Sequence, residues 1–161
     1  MQCSEPYLSL VQTYFLRPDN AYGCAETTYL VLKHLYGLRD PEDSSIAMVL
    51  NGGIAYTGGM CGAITGASLA VGQLAGQTLS DHALAKRKSR QVIIEVHKEF
   101  LAEFGTDSCK ELTGYDFSKP HEHDRFIGDR RWEVGCTRQI LFVVERLADL
   151  SFLDSATDET L

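Results

Sequence analysis

The chain has 161 residues, of which 44% are hydrophobic and 23% are charged, and its formal net charge is -7. A chain of this length and composition can bury the core of one ordinary domain and lacks the composition of a disordered protein. The acidic balance argues against nucleic acid as a partner, because phosphate binding requires a basic surface.

Two features of the sequence argue against a secretory signal and a membrane span. Residues 1–6 lack the basic region and the apolar stretch of a signal peptide. The most apolar segment, residues 61–76, is interrupted by glycines and is shorter than the roughly 17–25 residues that a membrane-spanning helix needs. We therefore expect no membrane insertion and a cytoplasmic location, where structural disulfides are rare.

Apolar residues recur at helical spacing along most of the chain. This spacing predicts helices, in chain order, over residues 5–16, 21–36, 40–50, 61–75, 81–104, 108–112 and 136–149. The third helix should turn Ile46, Val49 and Leu50 inward, and the polar residues 115–135 contain at most a helical turn at 122–126. No strand pattern is present, so we predict an all-α fold. We expect a single compact helical domain of about six or seven helices over residues 1–161, with a loose tail after about residue 151.

Small residues follow one face of the predicted helix 61–75. Gly62, Gly66 and Ala70 recur every four residues. Residues at this spacing lie on the same face of a helix. We expect this face to let the backbone of a neighbouring helix approach closely.

The chain has five cysteines, an odd number. In a cytoplasmic chain this favours metal binding or redox chemistry over a disulfide framework, although a free cysteine is also commonly buried as a small hydrophobic residue. Four of them lie near predicted helix N-termini: Cys24, Cys61, Cys109 and Cys136. The unpaired N–H groups and the positive dipole there favour a thiolate, so we expect lowered thiol pKa values. Cys3 precedes the first helix and is predicted to be dispensable.

The spacing of the four cysteines does not by itself indicate a metal. They are 37, 48 and 27 positions apart, whereas zinc fingers and small ferredoxins use short CxxC-type spacings. The chain also has no CxxC pair of the thioredoxin type and no CxxCH motif for haem attachment.

A glycine-rich loop, residues 51–59, comes shortly before Cys61. Gly59 before this cysteine and Gly62 after it leave room for a bulky group beside the backbone. Backbone N–H groups of such a loop can donate to cluster sulfurs. Gly59 and Gly62 are therefore candidate cofactor-binding residues, with a tight turn as the alternative role for the glycines. Tyr56 in the same loop is a candidate for lining a pocket beside Cys61.

Three further features are weaker candidates for a site. The HEHD run at residues 121–124 contains metal-ligating residue types, but its polar surroundings favour a solvated surface. Glu26 is close enough in sequence to Cys24 to orient a ligand or relay a proton, with helix capping or a surface role as the stronger alternative. Trp132 precedes Cys136 and is a candidate for covering the site, or else a packing aromatic.

The four cysteines and their neighbours resemble a known signature. The chain is similar to the family named for its cysteine pattern, C-GCAxxG-C-C, whose members are described as redox-active. The matching pieces are Gly23-Cys24-Ala25-Glu26, the run from Gly58 to Ala67 that contains Cys61, the run from Phe104 to Asp116 that contains Cys109, and Cys136. The resemblance implies a helical domain with a redox or metal role. The domain also looks related to a part of split-Soret cytochromes that is associated with an iron–sulfur centre; haem is not carried over, because the haem motif is missing.

Three functions follow from the residues and the resemblance together. The first is a redox-active protein in which Cys24, Cys61, Cys109 and Cys136 ligate an iron–sulfur cluster for electron transfer, since such clusters take four thiolates. The second is a metal-free thiol–disulfide redox protein or sensor. The third is a structural four-cysteine zinc site or interaction module. Expected partners are a redox partner protein or a transporter-associated protein, and the sequence also permits a homodimer.

Overall fold

The computed structural model describes residues 5–150. Over this range the chain forms seven α-helices and one 3₁₀ helix, and it contains no strand. The elements are α1 (Glu5–Phe15), α2 (Cys24–Leu35), the 3₁₀ helix Ser45–Leu50, α3 (Gly62–Thr78), α4 (His82–Phe104), α5 (Cys109–Thr113), α6 (Glu122–Asp129) and α7 (Trp132–Leu147). The predicted all-α fold with six or seven helices is confirmed. The predicted loose tail after residue 151 lies outside the described residues.

The core is built around α2, which has neighbours on every side. Every residue from 25 to 33 is buried, because α1, α3, α7 and the 3₁₀ helix all pack against this helix. The side chains of Leu30, Val31 and Leu32 are completely buried although they point in different directions around the helix. A helix that is buried around its circumference occupies the centre of its domain.

The small-residue face of α3 contacts α2, as the sequence predicts. A Cβ added at Gly66 would overlap the Ala25 carbonyl oxygen of α2 and lie 3.0 Å from the Ala25 carbonyl carbon. A Cβ at Gly62 would overlap Cys24 Sγ. Ala70, the next residue of the series, is fully buried. The close approach of the two backbones therefore depends on these small residues.

The helix predicted at residues 40–50 is wrong in length and in orientation. Only Ser45–Leu50 is helical, and it is a 3₁₀ helix with three residues per turn. Ile46 and Val49, three residues apart, therefore share the outer face, with 56% and 64% of their surface exposed. Ala47 faces inward and is fully buried, and Leu50, three residues later, is partly buried.

A buried lysine holds the segment that leads into the 3₁₀ helix. Lys33 is 2% exposed, and its Nζ donates to the carbonyl oxygens of Asp40 at 2.6 Å and Asp43 at 2.9 Å. The same ammonium lies 4.9 Å from the centre of the Tyr29 ring. The cation is thus hydrogen-bonded although buried, and the anchored loop delivers Ser44 to the N-terminal end of α2.

Helices α4 and α7 complete the packing around the centre. Asp81 caps α4, with Oδ1 accepting from the N–H groups of Ala83 at 2.8 Å and Leu84 at 3.2 Å. Helix α7 begins at Trp132, four residues earlier than predicted, so Cys136 is its fifth residue and not its start. Across residues 5–150, no helix combines the length and the apolar character needed to cross a lipid bilayer.

Candidate functional site

Three of the four candidate cysteines line one cavity. Cys24, Cys109 and Cys136 border a cavity of about 90 Å³, together with aromatic side chains that include Tyr56 and Trp132. Tyr56 lines a cavity as predicted, although Cys61, beside which the pocket was expected, does not border it. The position of Trp132 fits its predicted covering role. A cavity of this size has room for a few water molecules or a small group.

The position of Cys24 follows from the junction of α2 and α3. It is the first residue of α2, and its sulfur lies in the space that a side chain on Gly62 would occupy. Backbone N–H groups of Gly52, Ala25 and Gly62 approach this sulfur and favour its charged form. Cys24 is partly exposed, to the cavity. The N–H donors predicted for the glycine-rich loop are thus present, at Cys24.

Cys61 and Cys109 are brought together by a short antiparallel pairing. Met60 and Ser108 form an isolated β-bridge. On one side of it the Cys61 N–H donates to Asp107 O at 2.7 Å, and on the other the Cys109 N–H donates to Gly59 O at 2.6 Å. The two cysteines, 48 positions apart in the chain, therefore flank one bridge.

Gly59 and Gly62, the two candidate glycines, both lie within this arrangement. Gly59 supplies the carbonyl that holds Cys109, and a Cβ on it would lie 3.2 Å from Gly53 O. Gly62 makes room for Cys24 Sγ. Each glycine permits a close approach of protein atoms beside a cysteine, and the predicted cofactor-binding role of the two glycines stays a prediction.

Cys136 and Cys61 meet on the inner face of α7. Cys136 is one turn after Trp132 and three residues before Gln139. The Gln139 Oε1 atom is 3.8 Å from Cys61 Sγ, a distance compatible with a weak S–H donor. Cys61 itself is 3% exposed. It lies behind the cavity, next to the helix that carries Cys136.

A second, larger cavity reaches Cys136 from the other side. Its volume is about 400 Å³, and it lies between α5, α6 and α7 with Gln139 and Arg131 on its walls. Cys136 and Trp132 border both cavities. The cysteine site is therefore approached from two directions.

The glycine-rich loop adopts a left-handed turn. Gly52 and Gly53 have φ values of 63° and 72°, and Ile54, Ala55 and Tyr56 follow with 63°, 51° and 59°. Left-handed backbone costs L-residues about 1–2 kcal/mol each, and a β-branched residue there is an outlier. Hydrogen bonds from the Ala55 N–H to Val49 O at 2.7 Å and from the Gly59 N–H to Gly53 O at 3.0 Å hold the turn. The turn places the Tyr56 ring and the Gly52 N–H at the cavity.

Burial raises the pKa of all four thiols, so the predicted lowering at helix N-termini is wrong. For Cys24 the nearby N–H groups oppose the loss of solvent but do not overcome it, and its pKa is raised. Burial and the charge of Cys24 raise the pKa of Cys109 to about 12. The pKa of Cys61 is raised by burial and by Cys24, and that of Cys136 is raised well above its ordinary range by burial and by the other three cysteines. Desolvation of the charged form outweighs the helix ends.

The four thiols are neighbours, but they do not stand as ready metal ligands. Each is a free cysteine. In the part of the chain that the structure describes, no three His, Cys, Asp or Glu side chains are arranged to hold a metal ion. The predicted role of the four cysteines as cluster ligands stays a prediction. Cys3 lies outside the described residues.

The remaining sequence candidates lie around the site rather than in it. Glu26 accepts a hydrogen bond from the Gly23 N–H at 3.0 Å, which confirms its predicted capping role, but it is buried and not at the surface. His121 is exposed, whereas the His123 ring packs 4.7 Å from the Tyr56 ring at its edge. Asn51 was not among the sequence candidates, yet it is buried beside Cys24. Its position directly before Gly52-Gly53 is the one feature of the sequence that could have pointed to it.

Comparison with known proteins agrees with this site. A search of curated proteins and a search of solved structures each gave no match. A family model described as "Putative redox-active protein (C_GCAxxG_C_C)" matches residues 22–150, a span that includes all four cysteines. The match confirms the resemblance seen in the sequence and covers well over half of the chain. The chain therefore belongs to the C_GCAxxG_C_C family of redox-active proteins.

Proposed function

We propose that this redox-active protein uses Cys24, Cys61, Cys109 and Cys136 together as ligands of an iron–sulfur cluster that transfers electrons. The donor set supports this proposal, because iron–sulfur clusters are commonly held by four cysteine thiolates. When bound, the cluster would supply one-electron redox chemistry. A redox partner protein would supply or accept the electron, and a cytoplasmic location suits a site of reduced thiols.

The observation that carries the proposal is the convergence of four free thiols: Cys24, Cys109 and Cys136 border one cavity, and the Met60–Ser108 bridge holds Cys61 beside Cys109. Burial raises the pKa of each of these thiols. Thiols of this kind are poor nucleophiles at neutral pH, because the thiolate is the reactive form. A bound metal changes this balance, since it deprotonates its thiol ligands and its positive charge offsets their repulsion. Four adjacent buried thiols are thus better suited to holding a cationic centre than to attacking a substrate.

The surroundings of the thiols support the same proposal. N–H groups of Gly52, Ala25 and Gly62 surround Cys24, and hydrogen bonds to sulfur are one means by which a protein sets a cluster potential. Aromatic side chains from α1, the loop and α7 limit solvent access. The four cysteines are far apart in the sequence, so only the folded chain brings them together and part of the binding energy would be folding energy.

Anaerobic reconstitution tests the proposal. Reduced protein is incubated with iron and sulfide, and the visible absorption is recorded for the parent chain and for each single variant Cys24→Ala, Cys61→Ala, Cys109→Ala and Cys136→Ala. We expect absorption in the parent and its loss in every variant. A colourless parent that binds zinc in stoichiometric amount would contradict the cluster and favour a structural zinc site.

A metal-free thiol–disulfide protein is the second candidate, favoured by the absence of a metal-holding arrangement among the described residues. In that reaction two neighbouring thiols lose two protons and two electrons to a disulfide oxidant, one S–S bond forms, and the oxidant leaves as two thiols. Mass spectrometry after equilibration with oxidised dithiothreitol distinguishes the two functions. A stable loss of about 2 Da per disulfide, with no iron bound after reconstitution, would select this candidate.

A further inference from the structure

A buried hydrogen-bond network lies between the start of α2 and the glycine-rich loop. It consists of Glu26, Ser44 and Asn51, each 6% exposed. The Glu26 carboxylate accepts from Asn51 Nδ2 at 2.8 Å, from Ser44 Oγ at 3.0 Å and from the Gly23 N–H at 3.0 Å. Three donors satisfy this carboxylate, as a buried carboxylate requires.

The network supplies the cap that α2 lacks. The N-cap residue is Gly23, which has no side chain to accept from the free N–H groups of the first turn. Asn51 takes this role from 26 positions further along the chain: its Oδ1 accepts from the Ala25 N–H at 3.0 Å. A Cβ on Gly23 would overlap the Asn51 side chain. Glycine at position 23 therefore makes room for a cap that comes from the loop.

The same contacts fix the loop relative to Cys24. The Asn51 amide is held at both ends, because Oδ1 binds Ala25 and Nδ2 binds Glu26 and also Met48 O at 3.1 Å. Asn51 is followed directly by Gly52, where the left-handed turn begins and whose N–H approaches Cys24 Sγ. A shift of Asn51 would move this N–H away from the sulfur.

We propose that Glu26, Ser44 and Asn51 are positioning residues that hold the Gly52 N–H, and with it the glycine-rich loop, against the sulfur of Cys24. The proposal rests on the proposed function only in assigning Cys24 to the redox site. The network acts through hydrogen bonds and takes no part in proton transfer, since the oxygens of Glu26 are already occupied. Its effect is to keep the glycine-rich loop and the Gly52 N–H in place beside the Cys24 sulfur.

The test uses two variants that should both move the Gly52 N–H away from the Cys24 sulfur, each by a different change at the Asn51 side chain. Asn51→Ala removes the cap and the link to Glu26, and Gly23→Ala leaves Asn51 in the chain but displaces its side chain. Tyr36→Phe is the matched control, because it removes another interior hydrogen bond, from the Tyr36 hydroxyl to Leu147 O at 2.6 Å, at the far end of α2.

The first measurement is amide hydrogen exchange of the Gly52 N–H at neutral pH in reduced, metal-free protein. We expect the exchange rate to rise about tenfold in both variants, because the hydrogen bonds that hold the loop in place are lost, and to stay unchanged in Tyr36→Phe. An unchanged rate in folded Asn51→Ala, or an equal rise in Tyr36→Phe, would overturn the proposal.

A third variant tests the contribution of the hydrogen bond between Ser44 and Glu26. At neutral pH, Ser44→Ala, which removes one donor to Glu26, should raise the exchange rate of the Gly52 N–H about tenfold and leave the α4 amides unchanged. No change at Gly52 would overturn the proposal. Since no metal is present in either measurement, a failure of cluster reconstitution would leave both results interpretable.

Discussion

Helix α3 contains two glycines that should respond in opposite ways to the same substitution. Gly66 is buried against α2, and an added Cβ would overlap the Ala25 carbonyl oxygen, a backbone atom that cannot move aside alone. Gly72, on the same helix, is exposed, and its Cβ would meet no atom within 4 Å. Replacing a glycine within a helix by alanine, where no clash results, raises the free energy of unfolding by about 0.5–1 kcal/mol.

For Gly72→Ala this gain is unopposed, so we expect the free energy of unfolding to rise by about 0.5–1 kcal/mol. For Gly66→Ala the gain is offset by overpacking, which costs about 1–3 kcal/mol. Because the obstructing atom belongs to the backbone, the upper half of that range applies, and the net loss should be about 1–2.5 kcal/mol. Urea unfolding of the two variants and the parent chain measures both values.

Thermal unfolding gives an independent check of the same pair. A change of 1 kcal/mol shifts Tm by about 2–4 °C in a chain of this size, so the two variants should differ by several degrees with the parent between them. Equal stability of Gly66→Ala and Gly72→Ala would refute the close contact between α3 and the backbone of α2.

Three other predictions concern the thiols and their surroundings. Because the pKa of Cys109 is raised to about 12, the unfolded chain releases the Cys109 proton before the folded chain does as the pH rises above about 8.5. The free energy of unfolding should therefore fall by up to about 1.4 kcal/mol per pH unit. Urea unfolding at pH 8 and 10 should show a smaller fall in Cys109→Ser than in the parent chain, and an equal fall in the two would contradict the raised pKa of Cys109. Cys3→Ser should change neither metal content nor Tm, and lost metal would place Cys3 in the site. Replacing His121 and His123 together by alanine should leave cysteine-dependent metal binding or redox behaviour intact, and its loss would indicate a mixed Cys/His site. The same variant loses the ring contact between His123 and Tyr56, so its free energy of unfolding should fall by about 0.5–1.5 kcal/mol.

The helices could be predicted from the sequence wherever an apolar stripe and a cap occur together. In α4, Asp81 marks the start and Val92, Val96 and Phe100 mark the buried face. The start of α7 could not be predicted because its first turn contains Gly135 and follows Arg130, a non-glycine residue with a φ of 52° that no sequence rule assigns to the left-handed region.

The loop and the thiol pKa values show where a sequence pattern stops being informative. Two glycines predict a turn at Gly52-Gly53, but the continuation of left-handed backbone through Ile54, Ala55 and Tyr56 depends on hydrogen bonds to the 3₁₀ helix. Likewise, the helix-end positions of Cys24 and Cys109 were predicted correctly, while the direction of their pKa shifts was not. Burial is set by the packing of distant elements, and it outweighs the local effect of a helix end.

Quantifying iron and acid-labile sulfide in protein purified without oxygen tests the central claim most directly. If the four cysteines act as one site, the parent chain should contain both elements in equal amounts, as iron–sulfur clusters do. Each of Cys24→Ala, Cys61→Ala, Cys109→Ala and Cys136→Ala should lose iron and sulfide together, while Cys3→Ser keeps both. Parent protein that contains neither element, or a full complement in any of the four alanine variants, would contradict the account.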